Sequence, residues 1–194
     1  MRTFCITVLL LSCLNVESQD QKGIISDIST KYEVIRELIG SNSFSKENSS
    51  YFCKDFTESG IITYYYNSSE LKHILHTYTQ NHISHKDEYY VWNNQLFFQL
   101  TTHTTHYKTY KESPDPIDIT HTMEKRYYFD KEKSILCKVK EYQTKNNQPI
   151  KTNSVSSKKI RCNQSQDILK KYKILLDYKS KKSTDNCMVA REMH

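Results

Sequence analysis

Ile61-Ile62-Thr63-Tyr64-Tyr65-Tyr66 runs into Asn67-Ser68-Ser69 and returns as Leu71-Lys72-His73-Ile74-Leu75. The pattern recurs twice. Tyr89-Tyr90-Val91-Trp92 meets Asn93-Asn94 and returns as Gln95-Leu96-Phe97-Phe98-Gln99-Leu100. Arg126-Tyr127-Tyr128-Phe129 meets Asp130-Lys131-Glu132-Lys133 and returns as Ser134-Ile135-Leu136-Cys137-Lys138-Val139. Each unit is an aromatic run, a short polar turn and an apolar run. Aromatic and β-branched side chains suit a pleated surface, and Asn, Asp and Ser suit the turn, so each unit predicts a β-hairpin. Three hairpins in succession over 60–142 predict a six-stranded antiparallel meander.

The returning strands alternate. Leu96, Phe98 and Leu100 share one side with Ile135, Cys137 and Val139, while Gln95, Gln99, Lys138 and Lys140 take the other. Period-two alternation predicts one buried face and one wet face. Working outward, Ile24, Ile25, Ile28, Tyr32, Ile35 and Ile39 recur at helical spacing and predict a helix over 24–39, with Gly40 as its C-terminal cap. Ile168, Leu169, Tyr172, Leu175 and Leu176 predict a second helix over 166–180. The fold class is therefore α+β: a six-stranded meander packed by an N-terminal and a C-terminal amphipathic helix. Ile28, Tyr32 and Ile35 are expected on the apolar face, with the C-terminal helix extending that cover or capping one end. The segments 41–50, 79–87, 104–122 and 143–159 read as polar loops.

The chain begins with one basic residue and an apolar run of about ten residues, too short to span a bilayer as a mature helix. This reads as a signal peptide over 1–18, cleaved before Gln19. Leu10-Leu11-Ser12-Cys13 offers a competing lipobox, in which Cys13 is lipidated and provides the only membrane attachment. Residues 19–182 then form a single α+β domain and 183–194 a flexible polar tail. Outside the signal region lie Cys53, Cys137, Cys162 and Cys187. An oxidising compartment permits two disulfides among them, and Cys137–Cys162 is the favoured pair.

Composition excludes several function classes. Only 3 Gly occur in 194 residues, against 15 Tyr. No glycine-rich phosphate loop and no Gly-x-Ser-x-Gly elbow is present, so no cofactor is expected. The net charge of +6 is uneven, since residues 125–182 hold 17 Lys and Arg against 5 Asp and Glu. A basic half points to an anionic ligand. Export removes nucleic acid as a partner, and the oligomeric state stays open.

Two sets of residues carry candidate chemistry. Tyr64, Tyr66, Tyr89, Trp92 and Tyr128 are expected on one exposed sheet face, where rings stack on a ligand. His82, His85, His103 and His106 lie at or beyond strand ends, where loops can converge them on a metal ion. Residues three apart on a strand point to opposite faces, which works against a third pair, His73 and His76, chelating one ion together. No catalytic constellation stands out.

The segments YFCKDFTESGIITYYYNSSELKHI, EYYVWNNQLFFQLTT and EKRYYFDKEKSILCKVKEY resemble those of small exported or lipoprotein-type proteins of unknown function from bacteria of the Bacteroidetes type. The resemblance covers about residues 51–142 and the Lys-rich final helix. It implies a periplasmic, outer-envelope or secreted location and supplies no activity. The expected function is a non-catalytic binding or accessory protein of the cell envelope. The alternatives are a metal-dependent or hydrolytic enzyme using the His-rich loops, or a secreted lipocalin-like carrier.

Overall fold

Three hairpin turns set the sheet. Asn93 and Asn94 both adopt positive φ (50° and 60°), as do Lys131 and Glu132 (47° and 64°), while Ser68 opens the first turn at 55°. Two central residues of positive φ match the twist of the strands they join. With so few glycines, the chain uses Asn, Ser, Lys and Glu there. The computed structural model describes residues 2–55, 57–110, 115–146, 148, 150–181 and 187–193, with side chains for all of these except 2–20, 153, 180, 181, 188, 192 and 193.

The order is α1 (Arg2–Gly40), β1 (Ser45–Cys53), β2 (Glu58–Asn67), β3 (Glu70–Gln80), β4 (Ile83–Trp92), β5 (Gln95–Thr109), β6 (Ile117–Asp130), β7 (Lys133–Lys145), β8 (Lys158–Ile160), α2 (Ser165–Lys181) and α3 (Met188–Met193). Among the described residues the strands form one antiparallel sheet in sequence order, β1 to β8. The α+β meander stands, with eight strands rather than six. β1 (SKENSSYFC) is an edge strand with its first four residues exposed, so its Ser and Asn content reads as a loop. Charged, polar edges also resist pairing with other chains. β8 adds three residues against Cys137–Val139. The loops expected at 79–87 and 104–122 are largely strand, because Thr and His at alternating positions hold a pleat without an apolar signal. The two edge strands do not pair with each other, so the eight strands do not close into a lipocalin-like barrel.

Each hairpin carries a bulge two residues after its turn. Tyr65 pairs with His73 but Tyr66 with Leu71; Tyr90 pairs with Phe98 but Val91 with Leu96; Tyr128 pairs with Leu136 but Phe129 with Ser134. The extra residues are Lys72, Phe97 and Ile135. One inserted residue reverses the alternation beyond it. Leu96 therefore packs on the opposite face from Phe98 and Leu100, and Ile135 on the opposite face from Cys137. The single apolar face expected from alternation is two half-faces.

Both sides of the sheet are consequently dry at this end. Ile28 and Ile35 of α1 pack with Tyr65, Tyr90, Phe97 and Phe98, and Tyr32 meets the Tyr90 and Phe98 rings at 4.9 and 5.1 Å. Ile168, Leu169, Tyr172 and Leu175 of α2 pack on the other face with Tyr64, Ile74, Tyr89 and Tyr127. The three double tyrosines are shared out, with Tyr64, Tyr89 and Tyr127 in one core and Tyr65, Tyr90 and Tyr128 toward the other. The C-terminal helix covers the far face instead of extending α1. Gln99, expected in water, is 1 % exposed beneath it.

Cys137–Cys162 forms as expected, and the remaining pair is Cys53–Cys187. The tail is not wholly loose. α3 follows α2, and its Val189 and Ala190 are fully buried beside the Cys53–Cys187 bond. The expected helix at 24–39 is the C-terminal part of a longer α1. The Cys13 lipidation site and the cleavage site before Gln19 fall where side chains are not described. Ser113, Pro114 and residues 182–186 lie outside the described residues. Among the described residues no helix is long and apolar enough to cross a membrane.

Candidate functional site

Superposing the three hairpins on their double tyrosines exposes one exception. Ile74, Gln99 and Cys137 occupy the same place in the three units, and they lie in one cross-strand row with Tyr64, Tyr89 and Tyr127. Two positions before the tyrosine pair stand Ile62, Asp87 and Lys125. The first hairpin is apolar at both places. The second puts a carboxyl and an amide there, under α2. Where packing would otherwise close, a cavity of about 490 Å³ opens.

Its floor is Asp87, Tyr89, Gln99 and Thr101, all on one face of β4 and β5. Tyr78, His85 and His103 form one wall, Tyr127 another, and Gln164, Asp167 and Lys171 of the α2 end close the roof. The wall is a ladder of rings: Tyr78 stacks on His85 at 4.5 Å and 5°, and His85 meets His103 edge-on at 4.5 Å. Gln164 Oε1 accepts from Tyr127 OH (2.8 Å) and Lys125 Nζ (3.2 Å), which ties the roof to β6.

Three floor atoms lack a hydrogen-bond partner in the protein: Asp87 Oδ1, Tyr89 OH and Gln99 Oε1. Their residues are 3 %, 0 % and 1 % exposed. Burial raises the Asp87 carboxyl to about 6, and the Lys171 charge and hydrogen bonds from Thr101 and Tyr78 oppose that rise only in part. Burial pushes the Tyr78 and Tyr89 hydroxyls up, so both stay protonated. Burial, with the Lys125 and Lys171 charges, pulls His103 down and favours neutral imidazole. The site at neutral pH is thus a buried anion with acceptors and hydroxyls around it and lysines at its rim.

A second buried polar cluster lies under the first hairpin. Tyr51 OH donates to Glu58 Oε1 at 2.5 Å and lies 2.9 Å from His76 Nε2. Gly60 permits this, since a Cβ there would lie 2.5 Å from the Tyr51 ring.

The candidate residues scatter around this geometry. Of the five expected ligand-stacking aromatics, Tyr89 lines the cavity. Tyr64 is buried in the α2 core with its hydroxyl donating to Leu175 O, and Tyr66 packs beside that core. Trp92 and Tyr128 lie on the α1 side, where Lys72 Nζ sits 4.1 Å from the Trp92 ring centroid. The five share no exposed face. Of the four histidines, His85 and His103 come together across β4 and β5. His82 occupies the β3–β4 turn at φ 63°, and His106, three residues from His103, faces away with its Nδ1 3.0 Å from Thr120 Oγ1. One group of three closely spaced donors occurs among the described residues, Cys53, Asp55 and Cys187, and its two sulfurs are already bonded to each other. Asp87 and Gln99 were missed as site residues because alternation alone sends Gln99 to water. The misfit of Gln99 against Ile74 and Cys137 was the available signal.

Comparison with protein-family models, with curated proteins and with solved structures finds no match for this chain.

Proposed function

We propose that this chain is an exported, non-catalytic binding protein whose ligand site is the cavity between α2 and strands β3–β6. The observation that carries this is the set of three buried, unpartnered polar atoms on the cavity floor. A buried polar atom without a partner costs about 1–3 kcal/mol. The apolar residues at matching places in the first hairpin avoid that cost, so the second hairpin departs from packing in favour of recognition. The two disulfides support the exported location, because such bonds persist in oxidising compartments.

A fragment screen by ligand-observed NMR, with hits mapped on backbone amides, tests the site. Hits are expected to move Asp87, Gln99 and Tyr127, and to vanish in a Gln99→Phe variant that fills the cavity. Hits confined to other surfaces, or none at all, would sink the reading. A second reading is an acid–base enzyme, favoured by a cavity carboxyl near 6. Recovery of the bound molecule chemically unchanged after prolonged incubation decides for binding; a turnover product decides for catalysis.

A further inference from the structure

We propose that the cavity takes a saccharide bearing a negative charge, such as a uronic acid unit. This rests on the cavity being a ligand site and adds the class of ligand. The floor dictates the first half. Asp87 Oδ1 and Gln99 Oε1 are acceptors with no protein donor, and the Tyr89 hydroxyl lies beside them. Such a floor calls for a ligand rich in donors. Vicinal hydroxyls answer a carboxylate and an amide oxygen together, with charge-assisted bonds to the carboxylate. An amine would also supply donors, but the rim opposes it.

The rim dictates the second half. Lys125, Lys170 and Lys171 line the same cavity, against Asp167 at the α2 end. The Lys171 charge reaches both Asp87 and His103. Three ammonium groups around the mouth disfavour a cation and favour a carboxylate or sulfate on the ligand. Among the wall rings Tyr78 is stacked on both His76 and His85, which leaves Tyr127 to meet the C–H surface of a sugar. About 490 Å³ accommodates one or two sugar units.

The test titrates the full chain with galacturonate and digalacturonate, with galactose as the neutral match and spermidine as the cation, by NMR and calorimetry. The acidic sugars are expected to shift the Asp87 and Gln99 amides and to bind more tightly than galactose. Lys171→Gln, at the rim, is expected to weaken the acidic sugars about tenfold more than it weakens galactose, as loss of one charged contact of about 1.4 kcal/mol requires. Asp87→Asn, confirmed as folded by its melting curve, is expected to weaken acidic and neutral sugars alike. Spermidine binding in the cavity, or acidic-sugar binding indifferent to Lys171→Gln, overturns the proposal. Fragment hits in the cavity without any sugar shift overturn the ligand class alone; an absence of both overturns the site as well.

Discussion

Asp87 and Glu88 are neighbours on β4, and the sheet sends them to opposite faces with opposite results. Glu88, on the α1 side, is met by Lys86 Nζ at 2.7 Å, His73 Nε2 at 3.6 Å and Arg36 Nη1 at 3.9 Å. Burial would raise its carboxyl, but His73 and Lys86 outweigh that and hold it at about 2. Asp87, on the α2 side, is raised to about 6 and keeps one oxygen unpartnered. The same depth of burial is compensated on one face and left open on the other. Glu88 is met by charged groups of the protein, whereas Asp87 keeps one oxygen without a protein partner beside the cavity.

The two faces are also held differently. Among the described residues α1 lies on an aromatic core with no covalent tie. Both disulfides join residues of the α2 core, one at β1 and α3, the other at β7 and the approach to α2.

The largest expected effect tests those staples. Closing a loop of 134 residues is worth about 5 kcal/mol and one of 25 residues about 3.5 kcal/mol by chain entropy. Denaturant unfolding of Cys53→Ser/Cys187→Ser should therefore show a greater loss than Cys137→Ser/Cys162→Ser. The reverse order would break the view that loop length ranks the two staples. Next, Phe98→Ala should cost about 3–5 kcal/mol, because the closed α1 face cannot refill the space. A smaller loss would mean that face is as loose as the other.

The adjacent carboxyls give a prediction of opposite sign. Glu88 has a depressed pKa, so its contribution is full above about 4.5 and is lost as pH falls toward 2. Glu88→Gln should destabilise at pH 7 by about 2–3 kcal/mol, the worth of charged hydrogen bonds. Asp87 has a raised pKa, so it costs nothing below about 4 and progressively more as pH rises to about 6, reaching up to about 3 kcal/mol. Asp87→Asn should raise the melting temperature at pH 8 and converge on the wild type near pH 4. Equal signs for the two variants would end the contrast between the faces. The smallest effect belongs to Gln99→Ala, about 1 kcal/mol by thermal melting. The amide donates to Thr101 but borders open volume, so its removal leaves little packing undone. A loss equal to that of Phe98→Ala would show the cavity to be packed core.

The amino-acid sequence by itself determined the local units. Double tyrosines, a polar turn and an apolar return sufficed for three hairpins, since strand and turn preferences act within a few residues. The stripe Ile28, Tyr32 and Ile35 sufficed for α1, and the cysteine content for oxidative pairing. Only the tertiary structure decided which way each side chain faces. A single bulge at Phe97 or Ile135 depends on how two strands pair, and it reverses every position beyond it. Gln99 keeps the facing that alternation with Phe98 and Leu100 gives it, and it is buried because α2 covers that face. Strands β1 and β8 likewise exist through pairing with a neighbour and not through their own residues. The cavity follows from both: Asp87 and Gln99 are written in the sequence, but the fold alone places them on one floor.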